Sequence, residues 1–154
     1  MDALKQAPGM ILVFVFVRTD CPISNRYAPL IQELSVKYAH EAAFLLVFPD
    51  KDESAGKIQE YRQEYGYKLS AFRDPEHALV EKSQVKVTPE VAVFDAKREL
   101  IYHGRIDNLY QDFGKARRAA TTHELTDTIE AARKGKTPPV ASANGIGCFI
   151  SDLK

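Results

Sequence analysis

Ile11-Leu12-Val13-Phe14-Val15-Phe16-Val17-Arg18-Thr19-Asp20-Cys21-Pro22-Ile23-Ser24-Asn25 runs from an unbroken apolar stretch into a cysteine and then into an amphipathic segment. The apolar part is rich in β-branched and aromatic residues, the composition of a strand covered on both faces, and it predicts a central strand over 11–17. A helix beginning near Ile23 puts Cys21 at or just before a helix N-terminus. Unpaired backbone N–H groups at such a position favour negative charge, which makes a thiolate at Cys21 physically reasonable.

Downstream, the chain alternates between strand and helix signals. Tyr27, Leu30, Ile31, Leu34 and Tyr38 recur at three- and four-residue spacing, predicting a helix from Ile23 to about Tyr38 with a kink at Pro29. Ala43–Phe48 reads as a second buried strand. The acidic stretch Asp50 to Glu53 supplies cap candidates for a helix carrying Ile58, Tyr61 and Tyr65 and ending at Gly66. Asp74-Pro75 has the form of an N-cap followed by proline at the first helical position, opening a short helix through His77, Leu79 and Val80. Glu90–Phe94 and Leu100–Gly104, separated by Asp95-Ala96-Lys97-Arg98, predict an antiparallel hairpin. Thr121 with Glu124 resembles a capping box, and Leu125, Ile129 and Ala132 give the following helix one apolar face to lay over the hairpin. A tail from Lys136 contains Pro138, Pro139, Gly145 and Gly147. No internal repeat or second core is visible.

Composition narrows the class of function. A chain of 154 residues is one ordinary domain, able to bury about two-thirds of the surface its unfolded form exposes. Its 21 basic and 21 acidic residues balance, so charge provides no case for nucleic acid or an anionic membrane and argues instead for a small-molecule or protein partner. Two cysteines are too few for a disulfide scaffold or a recognisable zinc module, but they suffice for one redox pair. No apolar run approaches the roughly 20 residues of a membrane span, and 11–17 lacks the flanks of a signal peptide. A soluble protein is expected, with an exported or periplasmic location and a cytoplasmic one both open.

Asp20-Cys21-Pro22-Ile23-Ser24-Asn25-Arg26-Tyr27-Ala28-Pro29, Asp74-Pro75-Glu76-His77-Ala78-Leu79, Val87-Thr88-Pro89-Glu90, Tyr102-His103-Gly104-Arg105-Ile106-Asp107 and Gly147-Cys148 occur in this order along the chain. Together with the strand and helix order, they resemble the thioredoxin-like superfamily, in its redoxin branch grouped with alkyl hydroperoxide reductase and thiol-specific antioxidant proteins. The resemblance spans about Ile11 to Ile150. It implies an α/β fold of three layers, α/β/α, with a central mixed sheet in the order βαβα-α-ββα. Residues 1–135 would form the thioredoxin-like domain, and 136–154 a C-terminal tail carrying Cys148 within the same single domain. It also implies a cis bond at Thr88-Pro89 packed against the cysteine, as an X-Pro bond permits. No cofactor is implied. Substrates would be protein or small-molecule thiols and disulfides or a hydroperoxide, with an external thiol as reductant.

The chain departs from that family at informative positions. Ser24 stands where a dithiol oxidoreductase carries its second, resolving cysteine. The residues that position peroxide in peroxiredoxins are not reproduced either, since Phe14 stands at the place of an upstream proline and Arg18 three residues before Cys21. Cys148, preceded by Gly145 and Gly147, which allow the tail to reach toward another part of the domain, can supply the missing thiol. A mixed disulfide or sulfenic acid on Cys21 would then be resolved into an internal disulfide. Cys148 is equally readable as a small buried hydrophobe between Ile146 and Ile150.

The candidate site therefore has Cys21 and Cys148 as catalytic thiols, with Thr88, Pro89, Ser24 and Arg105 lining the substrate side. Arg105 and Asp107 are also readable as a surface ion pair. Asp20 opposes thiolate formation, whereas Arg18 or Arg26 favours it. No metal site is assigned, although Cys21, Cys148 and His77 or His103 have the soft donor chemistry of one. Two functions follow: a thiol-based redox enzyme, either a thiol-disulfide oxidoreductase or a peroxiredoxin-like peroxidase, or a non-catalytic thioredoxin-like binding or metal-handling module. Lys115-Ala116-Arg117-Arg118 reads as a solvated basic loop.

Overall fold

The computed structural model describes residues 2–150. A 3-10 turn, Ala3–Lys5, precedes β1 (Ile11–Phe16), α1 (Pro22–Arg26), α2 (Ala28–Lys37) and β2 (Ala42–Phe48). Next come α3 (Ala55–Glu64), β3 (Ala71–Arg73), α4 (Ala78–Ser83), β4 (Val87–Thr88), β5 (Glu90–Phe94) and β6 (Leu100–Gly104). The remaining elements are β7 (Tyr110–Asp112), β8 (Lys115–Ala116), α5 (Glu124–Arg133), β9 (Ser142–Ala143) and β10 (Cys148–Phe149).

Six strands form a mixed sheet in the order β3-β2-β1-β5-β6-β9. β1 runs parallel to β2 and antiparallel to β5, so the apolar stretch is central, as its composition predicts. Every residue of β1 is buried because both faces are covered. Val13 and Val15 point into a core shared with Ile31 of α2, Tyr61 of α3 and Leu125 and Ile129 of α5. Leu12, Phe14 and Phe16 point into a second core with Val80 of α4, Ala3 and Ile150. Full burial of one such side chain contributes about 1.5–3 kcal/mol, so the alternation along β1 stabilises two layers at once.

Several local expectations need correction. The kink foreseen at Pro29 is a complete break: Tyr27 ends α1 and opens α2, and Pro29 occupies the first turn of α2, where its missing N–H costs no hydrogen bond. The cap of α3 is not acidic. Ser54 accepts from the Lys57 N–H, while Asp50 closes its own turn on the Asp52 N–H and Glu53 turns toward Thr19. Asp74 accepts from the Leu79 and Val80 N–H groups, yet α4 begins only at Ala78, after a left-handed His77, so Pro75 lies in a turn rather than in the helix. Thr121 caps nothing, because Asn108 takes both its hydroxyl and its N–H. Lys115 and Ala116 form β8, paired with β7, rather than a plain loop. β3, β9 and β10 are strands with no forecast at all. Of the expected spans 1–135 and 136–154, Met1 and 151–154 lie outside the described residues.

Arg98, in the β5–β6 turn, anchors the N-terminal segment. Its guanidinium donates to the carbonyls of Leu4, Gln6, Ala7, Met10 and Asp95 at 2.6–3.0 Å. Charge-assisted hydrogen bonds of this kind are stronger than neutral ones, and one guanidinium here holds four carbonyls of the segment before β1. Arg98→Ala is expected to lower the unfolding free energy by about 2 kcal/mol in denaturant titration and to remove protection from proteolysis over residues 2–10.

Candidate active site

Cys21 follows the C-terminal end of β1 and holds the N-cap position of α1, with Pro22 at the first helical position and its own backbone extended. Proline there fixes the direction in which the chain leaves the cysteine. The residue is wholly buried. Three pieces of the fold meet at its sulfur: the start of α1, the loop carrying the cis Thr88–Pro89 bond, and the tail. As a thiol, Cys21 donates to the Thr88 carbonyl at 3.4 Å, and the Cys148 Sγ lies 2.6 Å from the Cys21 Sγ.

The tail reaches this position as a strand. β10 pairs antiparallel with β4, Cys148 opposite Thr88 and Phe149 opposite Val87. The Thr88 hydroxyl donates to the Cys148 carbonyl at 3.4 Å, and the Ile150 N–H donates to the Lys86 carbonyl at 3.1 Å. Gly147 is required by the close approach: a Cβ there would overlap the Thr88 carbonyl oxygen. Glu90, buried directly after Pro89, accepts from the N–H groups of Lys86 and Val87 with one oxygen and from Gly145 with the other, at 2.7, 3.1 and 2.8 Å. One carboxylate thus shapes the proline loop and fastens the tail to it. Sequence reasoning missed Glu90 as a site residue; the visible signal was a carboxylate opening an otherwise apolar strand.

A second buried acid supports the segment before the cysteine. Both Glu53 oxygens accept from the Thr19 N–H, at 3.2 and 3.3 Å. Burial raises the Glu53 pKa despite those bonds, and nearby Asp50 and Asp20 push in the same direction. Arg18 bridges Asp20 and Asp50, each at 3.1 Å. Arg26 lies over the Tyr110 ring, 5.5 Å from its centroid.

The two thiols have opposite tendencies. Burial pushes the Cys21 pKa up, but the Cys148 thiol hydrogen-bonded to it and the nearby polar groups of Ser24 outweigh it, holding Cys21 below the ordinary thiol value. Burial raises Cys148 to about 12, reinforced by its hydrogen bond to Cys21 and the Cys21 charge, with Arg18 opposing. Of the two, Cys21 is therefore the more readily ionised, with Cys148 the proton donor toward it. Since the Cys148 hydrogen bond stabilises the ionised form, Cys148→Ala is expected to move the Cys21 titration to higher pH. The ultraviolet thiolate absorbance of the reduced protein, followed against pH, measures this, and an unchanged or lowered midpoint contradicts it.

Of the residues singled out from sequence, Cys21, Ser24, Thr88, Pro89 and Cys148 come together. Arg105 faces elsewhere: its guanidinium donates to Glu124 Oε2 at 2.8 Å, at the start of α5. Its expected ion-pair partner, Asp107, instead accepts from the Tyr27 hydroxyl and the Leu109 N–H. His77 is engaged with the Pro49 carbonyl at 3.0 Å. Among the described residues, no three His, Cys, Asp or Glu side chains are grouped to hold a metal ion.

No protein-family model matches the chain, and no curated protein does. Solved structures do. An uncharacterized conserved protein from Geobacillus kaustophilus superposes with a TM-score of 0.81 at 19% identity, over 92% of this chain and 77% of that one. A thioredoxin-like protein solved in its oxidized form matches with a TM-score of 0.66 at 19% identity, over 88% of this chain and 86% of that one. A secreted disulfide oxidoreductase from Mycobacterium tuberculosis matches with a TM-score of 0.58 at 18% identity, over 80% and 83%. The fold is thioredoxin-like, with the mixed central sheet that its motifs imply. Among the described residues, no helix is long and apolar enough to cross a membrane.

Proposed function

We propose that this thioredoxin-like domain is a thiol-disulfide oxidoreductase in which Cys21 is the nucleophile and Cys148, on the tail, is the resolving thiol. The observation that carries the reading is the 2.6 Å approach of the two sulfurs beside the cis Thr88–Pro89 loop. The Cys21 thiolate attacks one sulfur of a substrate disulfide; a Cys21–substrate bond forms, and the other substrate sulfur leaves as a thiolate and takes up a proton. Cys148, deprotonated, then attacks the Cys21 sulfur, forming the internal disulfide and releasing the second substrate thiol. The substrate gains two electrons and the protein dithiol loses two, to be returned by an external thiol. Ser24 stabilises the thiolate, Thr88 and Pro89 border the substrate, and the tail is a working part of the domain. Disulfide exchange is favoured over peroxidase chemistry because Arg18 is committed to Asp20 and Asp50 rather than free to position a peroxide.

The test is intact mass with thiol labelling after mild oxidation by a small disulfide. Wild type should lose ~2 Da and both labelling sites, while Cys21→Ser and Cys148→Ser should each retain a single thiol or carry a mixed disulfide. Wild type that stays fully reduced, or that carries two independent adducts, would overturn the reading.

A further inference from the structure

The tail lies against the Cys21 sulfur, and the way it does so specifies what else fits there. Cys21 is wholly buried, with Cys148 against its sulfur and β10 along the edge of β4. A substrate reaches the sulfur only when β10 leaves, and its departure exposes the backbone groups of Lys86, Val87 and Thr88 that β10 had paired. We propose, resting on the redox reading above, that this edge binds an extended polypeptide segment of a protein substrate, with the pattern Gly-Cys-any-branched aliphatic, in place of Gly147-Cys148-Phe149-Ile150.

Each position of the pattern is read from the tail as template. The residue before the cysteine must be glycine, because a Cβ at 147 would overlap the Thr88 carbonyl oxygen and press on Pro89. The cysteine sits opposite Thr88, which brings its sulfur to Cys21. The next position is permissive, since Phe149 is 78% exposed. The one after is apolar, since Ile150 is 4% exposed in the second core. Strand addition of this kind draws affinity from main-chain hydrogen bonds and selectivity from alternate side chains. It also couples chemistry to release: when β10 returns to its edge, the strand that delivers the resolving thiol is the strand that displaces the product. The bond changes are those of the exchange above, with the peptide disulfide as the oxidant.

The probe is the disulfide-linked dimer of the peptide Gly-Ile-Gly-Cys-Phe-Ile, reacted with full-length Cys148→Ala, in which the mixed disulfide on Cys21 persists. Combining this change with Gly147→Ala, or separately with Ile150→Asp, should dislodge the tail and speed peptide capture roughly tenfold. Alanine in place of the peptide's second glycine, or aspartate for its last isoleucine, should slow capture roughly tenfold, while serine for phenylalanine changes it less than about twofold. Equal rates for all peptides and for a small disulfide would overturn the peptide site and leave the redox reading intact. Failure of Cys21 to react with any disulfide would overturn both.

Discussion

Replacing Cys21 with Ala is expected to abolish disulfide reduction, lowering turnover of a protein disulfide substrate by roughly 10³-fold or more, because the remaining thiol, Cys148, has its pKa pushed up by burial and has no partner to resolve an adduct on it. Cys148→Ala should fail differently. Its nucleophile remains, so the first exchange still occurs and one equivalent of mixed disulfide accumulates per chain, but steady turnover stalls for want of a resolving thiol. Added small thiol should restore turnover to Cys148→Ala and not to Cys21→Ala. Rapid-quench gel analysis with a fluorescent disulfide substrate distinguishes the two. Equal loss in both variants, with no adduct on Cys148→Ala, would show that the two sulfurs do not divide the labour this way.

Gly104→Ala should be the most damaging single change away from the sulfurs. Gly104 closes β6 with φ at +137°, a backbone that L side chains rarely adopt, and a Cβ there would overlap the Ala143 carbonyl oxygen of β9. The overlap is with backbone, so no side chain can give way. β9 would be forced off the sheet, and the hydrogen bond from the Arg105 N–H to the Ala143 carbonyl would be lost with it. A loss of about 2–4 kcal/mol is expected in urea titration, together with faster labelling of Cys148 in the reduced protein, since β9 directs the chain toward β10. Wild-type stability with wild-type labelling would mean that β9 contributes nothing to placing the tail.

What was legible in the sequence was what local periodicity encodes. β1 and β2 announce themselves by continuous apolar residues, and α2, α3 and α5 by stripes that the first core then buries. What escaped depends on partners distant in sequence. β3 has no buried residue to mark it, and β9 and β10 are two residues each, defined only by their pairing with β6 and β4. The caps failed for the same reason. Thr121 has the right spacing to Glu124, but Asn108, thirteen residues upstream, competes for it. In the candidate site the sequence identified two thiols and the Thr88–Pro89 loop; their juxtaposition depends on the Glu90 carboxylate and the side-chain-free Gly147, whose roles appear only when tail and loop are seen together.

The tail strand also joins parts of the molecule that the sheet keeps apart. Cys148 packs beside the core under α2 and α5, whereas Ile150, two residues on, is buried in the opposite core with Val80 and Phe14. Whatever moves the sulfur therefore moves an aliphatic anchor on the other side of the sheet. Oxidation state and packing become a single variable: an internal disulfide makes withdrawal of Ile150 costlier, and loosening of the α4 layer makes the sulfur pair easier to reach. By thermodynamic reciprocity, the coupling has one magnitude whichever side is perturbed, the packing of that layer or the sulfur pair.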